Sequence, residues 1–141
     1  MRRRATGSWG SALLLVPAGF LVLIILAAIT FDYSHLFLAK RELTAVAEAA
    51  AQDAVTAGVD QARLRAGEGA HLDEQLVDDA VAQALAAHGR DLRIDDVQVV
   101  LASDTEVTVT LTATISYVFV RAVPGAPHDS TITVRATADA V

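Results

Sequence analysis

The sequence predicts an α+β membrane protein, in which a long N-terminal helix carries a small head. Three observations lead to this fold class. An uncharged apolar run covers residues 11–31, helical periodicity continues over 32–57 and returns over 73–88, and alternation of apolar and polar residues begins after Arg93. We therefore expect a long N-terminal transmembrane helix that continues into an extracytoplasmic helix, a second amphipathic helix and a three-stranded antiparallel sheet.

The uncharged run is long enough to cross a bilayer, since about 20 apolar residues span the hydrocarbon core as a helix. Arg2, Arg3 and Arg4 precede the run and favour a cytoplasmic N-terminus, although Lys40 and Arg41 follow it and weaken this bias. We expect one pass through the cytoplasmic membrane with the C-terminal part outside. The residues expected to form the membrane anchor are Leu13, Leu14, Leu15, Pro17, Phe20, Leu21, Leu23, Ile24, Ile25, Leu26 and Ile29.

A cleaved signal peptide is the alternative for this segment, with Ala27 or Ala28 near the cleavage site. Apolar cores of signal peptides run for about 7 to 15 residues, and this one is longer. Helical sequence also continues past the site, because residues 32–57 contain neither glycine nor proline and are rich in alanine. We therefore favour one helix over residues 11–57, about 70 Å long at about 1.5 Å per residue.

A stripe of mostly small residues follows the second half of this helix. Its members recur at steps of three and four residues, which places them on one face. Small side chains let another helix approach closely. The stripe is either a packing seam for the chain's own second helix or a contact between subunits. The candidate seam consists of Asp32, Leu36, Ala39, Leu43, Val46, Ala50 and Ala54.

The second helix follows a predicted loop at Gly58 and residues 65–70. Asp73 is a suitable N-cap, and Gly89 stands where a left-handed residue is expected to end the helix. The expected apolar face consists of Leu76, Val77, Ala80, Val81, Ala84 and Leu85.

Three later segments predict strands, over residues 94–101, 106–120 and 131–139. In the second, every other residue from Val107 to Phe119 is apolar, and threonine or serine occupies most of the positions between them. Turn residues at 102–105 and a proline-rich loop at 123–127 connect the strands. The expected sheet has one apolar face for the helices to cover, while its edges and its threonine-rich face stay open.

Charge and motif content exclude several functions. After the apolar run, eight basic residues stand against seventeen acidic ones, a formal charge of −9 that repels nucleic acid. There is no cysteine, which excludes disulfides and cysteine-ligated metals. Histidines at 35, 71, 88 and 128 lie far apart, and no catalytic or nucleotide-binding motif occurs. We expect no enzyme activity, no cofactor, no metal site and no small-molecule substrate.

Asp32 is the first charged residue after the apolar run. The simpler expectation is that it marks the membrane boundary and stays hydrated. The alternative is an ion pair with a cation of a neighbouring subunit, which partial desolvation would strengthen.

The order of features in the N-terminal half is that of a known family. A basic stub precedes GSALLLVPAG at residues 10–19, the apolar span, FDY at 31–33, LAKREL at 38–43 and an alanine-rich run at 45–54. This order resembles the TadE/TadG-like proteins of the tight-adherence (Flp-type) pilus system over residues 7–57. The resemblance implies a pseudopilin-like or minor pilus component, anchored in the cytoplasmic membrane with its head outside. It also implies that the protein works with a secretion ATPase and an inner-membrane platform.

One departure refines the resemblance. Pseudopilins of the TadE kind carry a glutamate a few residues after the processing glycine, whereas no acidic residue follows Gly7 or Gly10 before Asp32. This argues against cleavage by a prepilin peptidase and places the chain closer to the TadG-like side. We expect a permanent membrane anchor.

The expected function is therefore a structural role in Flp/Tad-type pilus assembly. The expected partners are the membrane and other pilus-assembly or pseudopilin subunits. One alternative is a membrane-tethered extracytoplasmic binding module unrelated to pili, which would bind through its open sheet edge; another is a secreted hydrolase with a cleaved signal. The expected domains are a basic cytoplasmic stub (1–10), the transmembrane helix (11–31), its extracytoplasmic continuation (32–57) and a small α+β head (58–141).

Overall fold

A computed structural model of the chain describes residues 9–89 and 92–140, with side chains from residue 15 onward. The basic stub therefore lies largely outside the described residues, as do the side chains of Leu13 and Leu14. The elements are α1 (Trp9–Ala57), α2 (Gln61–Arg65), α3 (Glu74–His88), β1 (Ile94–Leu101), β2 (Glu106–Ser116), a 3-10 helix (Val120–Ala122) and β3 (Asp129–Asp139). The predicted α+β class is confirmed.

The sheet has the order β1-β2-β3, and both pairs are antiparallel. On its outer face, the hydroxyl groups of Thr108 and Thr137 lie 3.0 Å apart, and those of Thr112 and Thr133 lie 3.2 Å apart. Because residues alternate between the two faces, most apolar residues of the three strands share the inner face, whereas Val100 of β1 lies on the outer face and is exposed. β1 and β3 form the edges of the sheet.

The second half of α1 covers this inner face, and α3 packs against α1 and adds side chains to the same core. Alanine supplies much of the helical side of the core, so the helix backbone lies close to the strands. The core residues are Leu43, Val46, Ala47, Ala50, Ala51, Ala54 and Val55 from α1, Val77, Val81 and Ala84 from α3, Val107, Val109, Leu111 and Ala113 from β2, and Ile132, Val134 and Ala136 from β3.

The prediction for α3 is correct at its start and wrong in two details. The carboxylate of Asp73 accepts hydrogen bonds from the N–H groups of Gln75 and Leu76 at 3.0 and 3.2 Å. The side chain of Leu76 is exposed, however, while Val77 is buried. Gly89 ends the helix with a φ of −92°, not in the left-handed region. The position is instead crowded, since a Cβ atom would lie 2.8 Å from the carbonyl oxygen of Leu85.

The predicted end of the second strand is also wrong. β2 stops at Ser116, although alternation in the sequence continues to residue 120. β3 begins at Asp129, two residues earlier than expected. The intervening segment, residues 117–128, is named here the membrane-proximal loop. A hydrogen bond of 2.9 Å from the N–H of Tyr117 to the carbonyl oxygen of His128 closes its base.

One element was missed by the sequence analysis. The short helix α2 lies between Gly58 and residues 65–70, the two parts of the predicted loop, and overlaps the second only at Arg65. Its N-cap is Asp60, whose carboxylate accepts hydrogen bonds from the N–H groups of Ala62 and Arg63 at 2.8 and 3.2 Å. This cap stabilises a single turn beyond the end of α1, at the far end of the head from residue 32.

Candidate functional site

The most unusual polar group among the described residues is the carboxylate of Asp32. It lies on α1 and is only 2% exposed. It accepts hydrogen bonds from three consecutive backbone N–H groups, those of Val118 at 2.9 Å, Phe119 at 3.1 Å to each oxygen, and Val120 at 2.7 Å. The head is thereby attached to α1 at the first residue after the apolar run.

These donors are the free N–H groups at the start of the 3-10 helix. The residue at its N-cap position, Phe119, has no side chain that caps it. The carboxylate of Asp32 supplies the missing acceptor from a residue 86 to 88 positions earlier in the chain. A negative charge at this end of a helix is also favoured by the orientation of the peptide dipoles.

The pKa of Asp32 is set by two opposing effects. Burial raises the pKa, because it disfavours the charged form. The hydrogen bonds from Val120, Phe119 and Val118, together with the nearby His35, lower it and outweigh burial. The pKa therefore lies below the ordinary value for aspartate, and the group is a carboxylate at neutral pH.

The expectation that Asp32 stays hydrated is wrong, because backbone N–H groups have replaced water around its oxygens. In the described residues these oxygens face peptide groups of the same chain and no cation within ion-pair distance. A carboxylate with a low pKa and both oxygens engaged is unsuited to accept a proton. The arrangement positions the head relative to α1.

An aromatic contact adds to this attachment. The rings of Phe31 and Phe119 meet edge to face, with centroids 5.3 Å apart. Such a pair contributes about 0.5–1.5 kcal/mol beyond the area it buries. We call the set formed by Phe31, Asp32 and residues 118–120 the junction.

The other residues of the candidate seam pack within the chain. Leu43, Val46, Ala50 and Ala54 lie in the core, Ala39 is buried, and Leu36 packs against the core as a partly buried residue. Their neighbours belong to α3 and the sheet of the same head. Of the two options left open by the sequence, the packing seam for the chain's own helix is the arrangement present in this structure.

The expected anchor residues lie on the exposed first half of α1. The side chains of this set are all exposed in the structure, namely those of Leu15, Phe20, Leu21, Leu23, Ile24, Ile25, Leu26 and Ile29. One helix among the described residues is long and apolar enough to cross a membrane, and it begins near the N-terminus. This helix fits a single-pass membrane anchor.

The remaining polar residues that the structure describes do not converge on a second site. Within residues 15–89 and 92–140, no group of three or more histidine or acidic residues could hold a metal ion. His71 lies 3.5 Å from the exposed carboxylate of Asp104 and joins the segment before α3 to the turn between β1 and β2. This is a surface contact between loops.

Comparison with known proteins bears on the N-terminal half. Residues 10–57 match the family model described as "Putative Flp pilus-assembly TadE/G-like". The match covers about a third of the chain and coincides with α1 almost residue for residue. It supports a role in Flp/Tad pilus assembly, that is, in a structural and assembly family. The description covers both TadE-like and TadG-like proteins, so the TadG-like side stays a prediction. No curated protein and no solved structure matches the chain.

Proposed function

We propose that this chain is a membrane-anchored, pseudopilin-like or minor structural component of a Flp/Tad-type pilus assembly. The observation that carries the proposal is the coincidence of the matched residues 10–57 with the continuous helix α1. The matched unit is thus a complete structural element, one that combines an apolar anchor with the helix on which the head is built. The protein crosses the cytoplasmic membrane once, with its N-terminus in the cytoplasm and its head outside.

The shape of the membrane-proximal region supports a structural role. The junction binds the head to α1 through backbone groups, so the head and the upper half of the helix move as one unit. Outside the buried seam, α1 carries exposed apolar residues just beyond the apolar run, namely Tyr33, Phe37 and Leu38. Because the head occupies the alanine seam, contacts with neighbouring pilus-assembly subunits use this exposed side of the helix.

The orientation follows from charge. The cluster Arg2 to Arg4 precedes the apolar run, and every acidic residue of the chain follows it. Basic residues at the start of a first membrane helix are retained in the cytoplasm. The acidic head is accordingly outside.

Fractionation of the native protein tests this proposal. Its intact mass is measured in the membrane, in the medium and in sheared surface filaments. Full-length protein confined to membranes, co-purifying with the inner-membrane platform of the pilus machine, is expected for a permanent assembly component. A form trimmed after Gly7 or Gly10 and recovered in sheared filaments would identify a pilus subunit. A soluble form that begins near Ala28 would overturn the proposal and restore the secreted alternative.

A matched pair of variants locates the contact. Phe37→Ala removes an exposed ring beside the membrane, and Val100→Ala trims an exposed side chain on the outer face of β1. We expect Phe37→Ala to reduce co-purification with the platform and Val100→Ala to leave it unchanged. Equal recovery of platform proteins with both variants would show that this side of α1 is not the contact.

A second candidate is a binding module that acts by strand addition, and the observation that favours it is the sheet order. β1 and β3 are edge strands, and an edge strand presents backbone groups to which an extended peptide can pair. Recovery of an envelope partner in the absence of all pilus proteins would favour this candidate over the first.

A further inference from the structure

The membrane-proximal loop lies at the level where α1 leaves the bilayer. Asp32, which binds the backbone of residues 118–120, directly follows the apolar run. Phe31 is the last residue of that run, and its ring touches the ring of Phe119. The depth of this loop is therefore fixed by α1, within one or two residues of the hydrocarbon boundary.

The loop exposes apolar side chains at this level. Val118, Phe119 and Val123 are 43%, 46% and 56% exposed, although their backbone groups are hydrogen-bonded. In a soluble head such a cluster would face water. Here a lipid bilayer surrounds the adjoining helix, so the surface beside these side chains is continuous with the lipid-facing surface of the anchor.

The charge of the membrane-proximal loop also fits a position at a lipid surface. Residues 107–128 form the longest stretch without an acidic residue after Asp32, in a chain whose remainder is strongly acidic. The loop itself carries Arg121, which is exposed and belongs to the 3-10 helix. An arginine next to apolar side chains suits the layer where lipid phosphates meet acyl chains.

We infer that the membrane-proximal loop is a second membrane contact, with Val118, Phe119 and Val123 inserted at the headgroup and acyl boundary of the leaflet on the side of the head. The inference rests on the proposed membrane anchor and adds to it. α1 holds the protein in the membrane, and the loop holds the head down on the membrane surface. Two points of contact fix the tilt of the head, which a single helix leaves free.

Site-specific labelling tests the inference, and the absence of cysteine from the sequence makes single-cysteine variants clean. The full-length chain, labelled with an NBD fluorophore at Val118→Cys, is reconstituted in vesicles that contain phosphatidylcholine with a doxyl quencher near the headgroup. Position 118 is suitable because its side chain is exposed and the substitution keeps the N–H group that binds Asp32.

Val100→Cys is the matched control, since Val100 is also an exposed valine of the head. It pairs with Thr108, eight residues before the end of β2 and about 26 Å farther along the strand. Leu26→Cys, within the apolar run, reports on the anchor itself. We expect strong loss of NBD fluorescence at positions 118 and 26 and none at position 100.

The possible outcomes distinguish the membrane anchor from the membrane contact of the loop. Quenching at position 26 without quenching at position 118 would overturn the inference and leave the anchor in place. Equal quenching at positions 118 and 100 would overturn it as well, because the whole head would then lie against lipid without using the loop. No quenching at any position would overturn the membrane anchor, and the inference with it.

Discussion

The two halves of α1 share one continuous backbone but are built for different surroundings. From residue 15 to residue 31, every side chain is exposed except that of Ala28, which is intermediate, and leucine, isoleucine and phenylalanine dominate. From residue 32 to residue 57, one face is buried and consists mostly of alanine and valine. Large apolar side chains point outward in the first half, which fits a membrane anchor, and small ones point inward in the second half, where the head is the neighbour.

The difference shows that hydrophobicity has two uses in this helix. In the first half, the apolar side chains are exposed, as suits a membrane anchor, and they need no partner from the chain. In the second half, each buried side chain has less apolar area, and close packing of the head against α1 stabilises the fold. A substitution that preserves hydrophobicity but changes size is therefore tolerated in one half and damaging in the other.

The largest difference between the halves is expected when a leucine is replaced by alanine in each half and the stability of the head is measured. Leu43→Ala empties a site that is 1% exposed and should lower the free energy of unfolding of the head by about 2–5 kcal/mol. Leu23→Ala, on the exposed first half, should leave it unchanged. Hydrogen exchange of the β2 amides in the detergent-solubilised full-length chain measures both. Similar losses from the two variants would contradict the division between the halves.

A smaller effect is expected from adding a methyl group at Gly58, directly after α1, and at Gly19, in the exposed first half of α1. A Cβ atom at Gly58 would clash with the carbonyl oxygen of Ala54 and lie 2.5 Å from Val77 Cγ2, while a Cβ atom at Gly19 meets nothing within 4 Å. Gly58→Ala should cost about 1–3 kcal/mol of head stability through overpacking. Gly19→Ala should cost none. The midpoint of urea unfolding reports the difference, and an unaffected Gly58→Ala would show that the α1 end is not packed this tightly.

A local effect is expected at the boundary between the halves. Asp32→Asn replaces one acceptor oxygen with an NH₂ group that points at N–H donors, so the junction loses hydrogen bonds and gains repulsion. Hydrogen exchange at residues 118–120 should accelerate, while the membrane insertion of α1 is unchanged. Asp53→Asn, an exposed carboxylate elsewhere on α1, is the matched control. Unchanged protection of residues 118–120 in Asp32→Asn would refute the junction.

The smallest effect is a pH dependence of the same junction. Because the pKa of Asp32 is lowered in the folded state, its contribution is fully present above the unfolded-state pKa, about 3.9. The contribution is lost only as the pH falls through the lower folded-state pKa. The difference in Tm between wild type and Asp32→Asn should stay constant from neutral pH to about pH 5 and shrink below about pH 4. A difference that already shrinks near neutral pH would indicate a raised pKa.

Local sequence signals predicted most of the fold. Asp73 marked the start of α3, and alternation marked β1 and most of β2, because caps and periodicity depend on nearby residues. α2 was missed because one helical turn leaves no periodic pattern. The end of β2 was missed because the alternation continues, while the Asp32 carboxylate binds the N–H groups that would otherwise extend the sheet.

Of the two partners in the candidate site, the carboxylate of Asp32 was predictable from the sequence and its backbone donors were not. Asp32 falls on the same face of α1 as Leu36, Ala39 and Leu43, and this spacing was sufficient to place it on the seam. Its partners were not predictable, since they are backbone N–H groups and any residue type can supply them. An acidic residue in line with a buried stripe is nonetheless a usable signal, because a buried carboxylate requires donors.

The distance in sequence between Asp32 and its donors also orders events during biosynthesis. When α1 enters the membrane, Val118 lies 86 residues downstream, so the carboxylate has no protein partner and must remain in water. At this stage the charge keeps residue 32 at the polar end of the apolar run. Only after residues 118–120 have been made can the same group leave water and close the junction. Asp32 thus first marks the polar end of the apolar run and later binds the head to α1.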